Sequence, residues 1–176
     1  METAISPRHF LLSYSALFSF FFVLALSHVS GQTPSSELKF NINVTNPEAK
    51  AGQPVMLQMK LENVSDHALM VNTRFLVNHA TGPHEIVLLV TGPDQKTLPF
   101  TLKIRASFES GTFTRLEPHQ SASASYDLTP AFELKQPGEY SVRAYYENKD
   151  DPPAQLNLPA AWKGTLESNR VQFKLR

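Results

Sequence analysis

From Leu38 onward, apolar side chains recur at every second position. Leu38, Phe40, Ile42 and Val44 alternate with Lys39, Asn41, Asn43 and Thr45, which turns one face of an extended chain to a core and the other to water. Val55, Leu57, Met59 and Leu61 repeat the device against Met56, Gln58, Lys60 and Glu62. Between them, Asn46-Pro47 and Gly52-Gln53-Pro54 punctuate the chain as turns. After the polar turn Asn63-Val64-Ser65-Asp66-His67, the positions Leu69, Val71, Phe75 and Val77 predict a further strand. Ile86 to Val90 is apolar throughout, the composition of a central strand covered on both faces or of one facing a second copy. Gly92-Pro93-Asp94-Gln95 reads as a hairpin turn leading to Phe100, Leu102 and Ile104, and Ser107 to Thr114 as a loop around Gly111.

The same alternation returns at Ala122, Ala124, Tyr126 and Leu128, at Tyr140, Val142, Ala144 and Tyr146, and in a last strand from Leu166 to Leu175 with Val171, Phe173 and Leu175 inward. There Arg170, Gln172 and Lys174 read as charges and polar groups guarding an exposed edge. No stretch carries a convincing 3.6-residue period. Short strands punctuated by 13 Pro and 7 Gly predict an all-β, antiparallel sandwich of about seven to nine strands.

Residues 1–31 read differently. One Arg precedes the apolar run Phe10 to Leu26, and Ser27 to Gly31 is small and polar, the layout of a secretory signal peptide. Val29 and Gly31 suit a cut that leaves Gln32 as the new amino terminus. Left uncut, the same run would hold the chain to a membrane. Residues 32–37 then form a flexible lead-in and 38–176 the domain, which places it outside the cell, in a periplasm or at the cell surface. Cysteine is absent from the 176 residues, so no disulfide or thiolate site is available and the core alone must hold the fold. Net charge is zero, with no basic block to attract nucleic acid.

Some segments are more specific than the alternation. Leu134-Lys135-Gln136-Pro137-Gly138-Glu139-Tyr140 reads as a tyrosine corner, in which a bend at Pro137 and Gly138 starts a strand and the Tyr140 hydroxyl returns to an upstream backbone group. Leu61-Glu62-Asn63-Val64-Ser65, then Leu116-Glu117-Pro118-His119-Gln120-Ser121, then Pro137-Gly138-Glu139-Tyr140 follow one another in an order that resembles secreted immunoglobulin-like or fibronectin-type modules of bacteria. The order is distantly similar to that of the intracellular proteinase inhibitor family. Across residues 38–147 the resemblance implies an immunoglobulin-like β-sandwich, with His119 standing where the pattern has Gly.

Candidate chemistry is sparse. His79, His84 and Glu85 could supply a nitrogen and oxygen metal set, although two His in a loop are more often merely solvated. Ser121, Ser123 and Ser125 alternate as on an outward strand face, and no serine lies in a Gly-x-Ser-x-Gly turn. No catalytic constellation, cofactor site or metal site is therefore expected. Asn43-Val44-Thr45 and Asn63-Val64-Ser65 match the glycosylation acceptor pattern. The long loop Glu147 to Gly164 carries Asp150, Asp151, Leu156, Leu158 and Trp162, and loops of that length at a sandwich end often bind. Trp162 either anchors a partner there or closes one end of the core. The expected function is a non-enzymatic, exported module contacting a protein or a glycan. Its alternative is an inhibitor of a secreted protease, acting through Thr112 to His119 or Asp150 to Trp162.

Overall fold

The computed structural model describes residues 36–102 and 112–176, all within one compact unit, Pro34–Arg176. The signal-peptide reading, the first part of the lead-in, Ile104 and Ser107 to Gly111 lie outside the described residues. In chain order the strands are β1 (Leu38–Val44), β2 (Glu48–Ala49), β3 (Met56–Asn63), β4 (Leu69–Asn72) and β5 (Ile86–Thr91). There follow β6 (Phe113–Leu116), β7 (Ser121–Asp127), β8 (Gly138–Asn148), β9 (Gly164–Glu167) and β10 (Val171–Leu175). The only helical turn among the described residues is a 3-10 turn at Ala154–Leu156. The all-β, largely antiparallel class read from the alternation is the class the chain adopts.

One sheet has the order β1-β3-β7, a second the order β2-β10-β8-β5 with β9 also on β8, and β4 pairs with β6. Among the described residues, every pairing between these strands is antiparallel except β2 against β10. The inward positions of β1, β3 and β8 are buried in one shared core. Phe40 of β1 and Tyr146 of β8 meet across it with ring centroids 6.0 Å apart. Each such Leu, Ile or Phe contributes roughly 1.5–3 kcal/mol by leaving water, which replaces the missing covalent staples.

At the start of β8, the Tyr140 hydroxyl donates to Gln136 O at 2.7 Å and accepts from Gln136 N at 3.2 Å. Its ring stacks on Phe173 at 5.1 Å. Gly138 has φ +142°, and a Cβ there would stand 2.8 Å from Pro93, so the bend requires glycine on two counts.

The structure departs from the alternation in four places. The run expected to continue from Leu69 to Val77 stops at Asn72, because Asn72 Oδ1 accepts from Arg74 N at 3.2 Å and Phe75 takes φ +49°, turning the chain out of extension. Ile86 to Val90 is not a central strand: β5 ends its sheet, and Leu89 is 40% exposed. The last strand is broken in two. Tyr145 pairs with Glu167 but Val142 with Val171, so β9 and β10 run along β8 with one extra residue between them, a β-bulge. Nor is β10 a bare edge, since β2 lies parallel against Lys174 and Leu175.

Candidate binding loop

The chain leaves β8 at Asn148, and the polar residue there follows directly from register. Tyr140, Val142, Ala144, Tyr146 and Asn148 all point inward, so Asn148 is buried and its amide must find partners inside the protein. Asn148 Nδ2 donates to Asp150 O at 3.0 Å and to Trp162 O at 2.6 Å, tying the two ends of the loop together. Asp151 closes the base from the other side. Its Oδ1 accepts from Ala161 N at 3.0 Å and its Oδ2 from Lys163 Nζ. The Lys163 ammonium, with help from the Ala161 amide, holds the Asp151 carboxyl below the ordinary range.

Trp162 is half-buried and packs on the core. Its backbone N–H donates to Met70 O at 2.8 Å, and its ring lies 6.1 Å from that of Tyr146. A Cβ at Gly164, where φ is +151°, would come within 2.8 Å of the indole, so the ring is seated over a residue that must lack a side chain. Trp162 therefore closes the core end and braces the loop.

What the loop projects is apolar. Leu156 is 55% and Leu158 42% exposed. The 3-10 turn that carries Leu156 buries none of its own residues and ends at Asn157 in the left-handed conformation. Asp150 is exposed and supplies its carbonyl to the base. The five residues singled out in the sequence thus divide by role: Asp150, Asp151 and Trp162 shape the loop, while Leu156 and Leu158 face outward from it.

Beneath the loop lies a buried polar cluster that the alternation did not reveal. Glu85 is buried and accepts from Arg74 Nε at 3.0 Å through both oxygens, from Arg74 Nη2, from Leu76 N at 3.0 Å and from Asn72 Nδ2 at 3.2 Å. The hydrogen bonds to Glu85 raise the affinity of the Arg74 guanidinium for its proton. The Tyr146 hydroxyl donates to Asn72 O at 2.9 Å, and burial pushes its proton affinity up. This cluster fixes the turn beside the loop.

His79, His84 and Glu85 are not brought together. His84 Nε2 pairs with Glu147 at 3.2 Å, His79 Nδ1 sits 3.2 Å from Thr81 Oγ1, and Glu85 is occupied by Arg74. Lys149, and less strongly His84, hold the Glu147 carboxyl below the ordinary range. Thr112 to His119 is no free loop, since Phe113–Leu116 pair with β4, Thr73 N donates to Thr112 O and His119 N donates to Asn63 O. The two glycosylation patterns separate as well: Asn43 is exposed on β1, whereas Asn63 is fully buried and its Nδ2 donates to His67 O at 2.7 Å and Leu116 O at 2.9 Å.

No protein-family model matches the chain, and no curated protein matches it. Among solved structures it is similar to a beta-glucosidase from Listeria innocua in complex with isofagomine, at 9% identity and TM-score 0.37 over 79% of this chain. A beta-glucosidase from Erythrobacter marinus matches at 10% identity and TM-score 0.35, also over 79%. The chain spans 16% and 15% of the length of those enzymes. A likeness at that level carries no argument about fold family or activity.

Proposed function

We propose that the chain is an exported, immunoglobulin-like β-sandwich module that binds another protein through the loop joining β8 and β9, without catalysing a reaction. The observation that carries this is the pair of exposed leucines, Leu156 and Leu158, on a loop whose base is tied by Asn148, Asp151 and Trp162. Large apolar side chains held out of the core gain most when a partner takes them out of water. A loop fixed beforehand loses little conformational entropy on docking. Two leucines suit an apolar protein surface better than the hydroxyl-rich face of a glycan.

The remaining support is architectural. The orders β1-β3-β7 and β2-β10-β8-β5 suit a two-sheet immunoglobulin-like sandwich. In antibody variable domains the connection between the last two strands of one sheet is a binding loop. Residues 1–31 support export, and a net charge of zero offers nucleic acid no footprint.

The test is affinity capture from the native source with the full chain, compared with Leu156→Ser/Leu158→Ser and with Lys96→Ser at the opposite end of β8. A partner retained by wild type and Lys96→Ser but lost by the double variant supports the reading. Equal capture by all three removes the loop from the interface. The pinned, proline-flanked loop also favours one second reading, inhibition of a secreted protease by an extended segment. Inhibition of a panel protease that weakens on substitution at Leu156 or Leu158 selects it.

A further inference from the structure

A strand that ends a sheet presents unpaired backbone N–H and C=O groups, and folded proteins guard such edges. Here the outer edges of β5, β1 and β4 each take hydrogen bonds from elsewhere in the chain. On β5, Ile86 N donates to Leu76 O, Asn78 N to Ile86 O and Leu98 N to Val90 O. On β1, the Asn169 side chain bonds both Ile42 N and Ile42 O. Trp162 N donates to Met70 O on β4.

The edge at β7 is different. It pairs with β3 from Ser121↔Glu62 to Asp127↔Met56 without a bulge, and among the described residues no strand lies on its other side. Bonds from Asn63 N to Gln120 O and from Leu128 N to Val55 O bracket this ladder. By the alternation of an antiparallel pair, Ala122, Ala124 and Tyr126 therefore turn their backbone groups toward β3, and Ser121, Ser123 and Ser125 turn theirs outward. The three serines are exposed. The strand holds no Lys, Arg or Pro, the residues that discourage edge pairing.

Five of its seven residues also read the same in both directions. Ser121-Ala122-Ser123-Ala124-Ser125 is symmetric about Ser123, and a two-fold interface needs one patch to complement itself. We propose that the outer edge of β7 is a self-association surface on which a second copy of this chain adds its own β7 antiparallel, with Ser123 on the two-fold axis. Ser123 then pairs with Ser123 and Ser121 with Ser125, the serines being the hydrogen-bonded positions, with about six N–H···O bonds between copies. Ala122 falls opposite Ala124, small against small. Asp127 of one copy reaches the turn holding Gln120 and His119 of the other, so no like charges oppose each other along the strand. The two three-stranded sheets become one continuous sheet of six.

The absence of cysteine makes the register directly testable. A hydrogen-bonded antiparallel pair places its Cα atoms about 5.5 Å apart, within disulfide reach. In the full chain, Ser123→Cys should cross-link to a dimer under mild oxidation. Ser121→Cys and Ser125→Cys should each fail alone and cross-link when mixed. Sedimentation of the cysteine-free chain reads the same association without the probe: Ser123→Lys, which places two cations across the axis, should raise the dimer Kd by roughly tenfold or more. Cross-linking of Ser123→Cys no faster than Lys96→Cys, or a cysteine-free chain that stays monomeric at its highest soluble concentration, would overturn the proposal.

Discussion

The side-chain amide of Asn169 takes the place of a neighbouring strand against Ile42: Oδ1 accepts from Ile42 N at 2.8 Å and Nδ2 donates to Ile42 O at 3.0 Å. The bulge between β9 and β10 makes this possible, because the extra residue breaks the ladder with β8 and re-aims the side chain. The neighbouring Ser168 fills the gap, its Oγ accepting from Ala144 N at 2.9 Å. One irregularity thereby covers the edge of one sheet with a residue from the other.

Asn169→Ala removes two hydrogen bonds and leaves both Ile42 groups without their partner. Stability should fall by about 1–3 kcal/mol, read as a lower urea midpoint at unchanged slope. A loss within about 0.3 kcal/mol would mean that water replaces the amide without cost.

His119 takes φ +64°, the left-handed conformation that glycine adopts most readily. An L-residue in that conformation costs about 1–2 kcal/mol, part of which glycine returns as lost chain entropy. His119→Gly should raise stability by about 0.5–1 kcal/mol, while His119→Ala should not. Equal shifts for the two variants would show that the imidazole, not the backbone, decides.

Three tyrosine hydroxyls separate two ways. The Tyr126 hydroxyl is buried without a hydrogen-bond partner, and burial, with Asp127 nearby, raises its proton affinity. Tyr126→Phe should therefore be neutral or stabilising by up to about 1 kcal/mol. Tyr140→Phe and Tyr146→Phe each strand a backbone group bonded at 2.7 and 2.9 Å and should cost about 1–2 kcal/mol. Thermal unfolding of the three variants side by side checks the order.

The base of the β8–β9 loop should respond to acid. The folded state depresses the Asp151 carboxyl through Lys163 and the Ala161 amide. The stabilisation is thus fully present above the unfolded value of about 4 and is lost as pH falls through the lower folded value. Amide hydrogen exchange at Ala161 should be slow at neutral pH and speed up relative to the core at acid pH. In Asp151→Ala it should be fast at both, and an unchanged Ala161 amide in that variant would remove Asp151 from the closure.

Much of the fold was legible because strand residues sort by face with a period of two, and the faces from Leu38 to Leu61 and from Tyr140 to Tyr146 are unambiguous. What escaped depends on contacts distant in sequence. The exposure of Leu89 follows from the place of β5 at the end of its sheet, which no local pattern encodes. The turn at Asn72 and the Arg74–Glu85 pair are fixed by side-chain bonds rather than by periodicity. One signal was present and easily passed over: Asn63 and Asn148 each continue an inward alternation one step beyond the apolar run. A buried polar group at such a position must organise the backbone around it, and both asparagines do so. The long loop was visible from its length and prolines, while the division between the residues that tie it down and the two leucines it displays required coordinates.

The most direct measurement is photo-cross-linking from inside the loop. With a photoactivatable residue at Leu158 of the full chain in its native cells, irradiation should yield a discrete adduct with one protein, absent when the same group stands at Lys96. Adducts that are absent at Leu158, or identical at the two positions, would contradict a binding role for the loop.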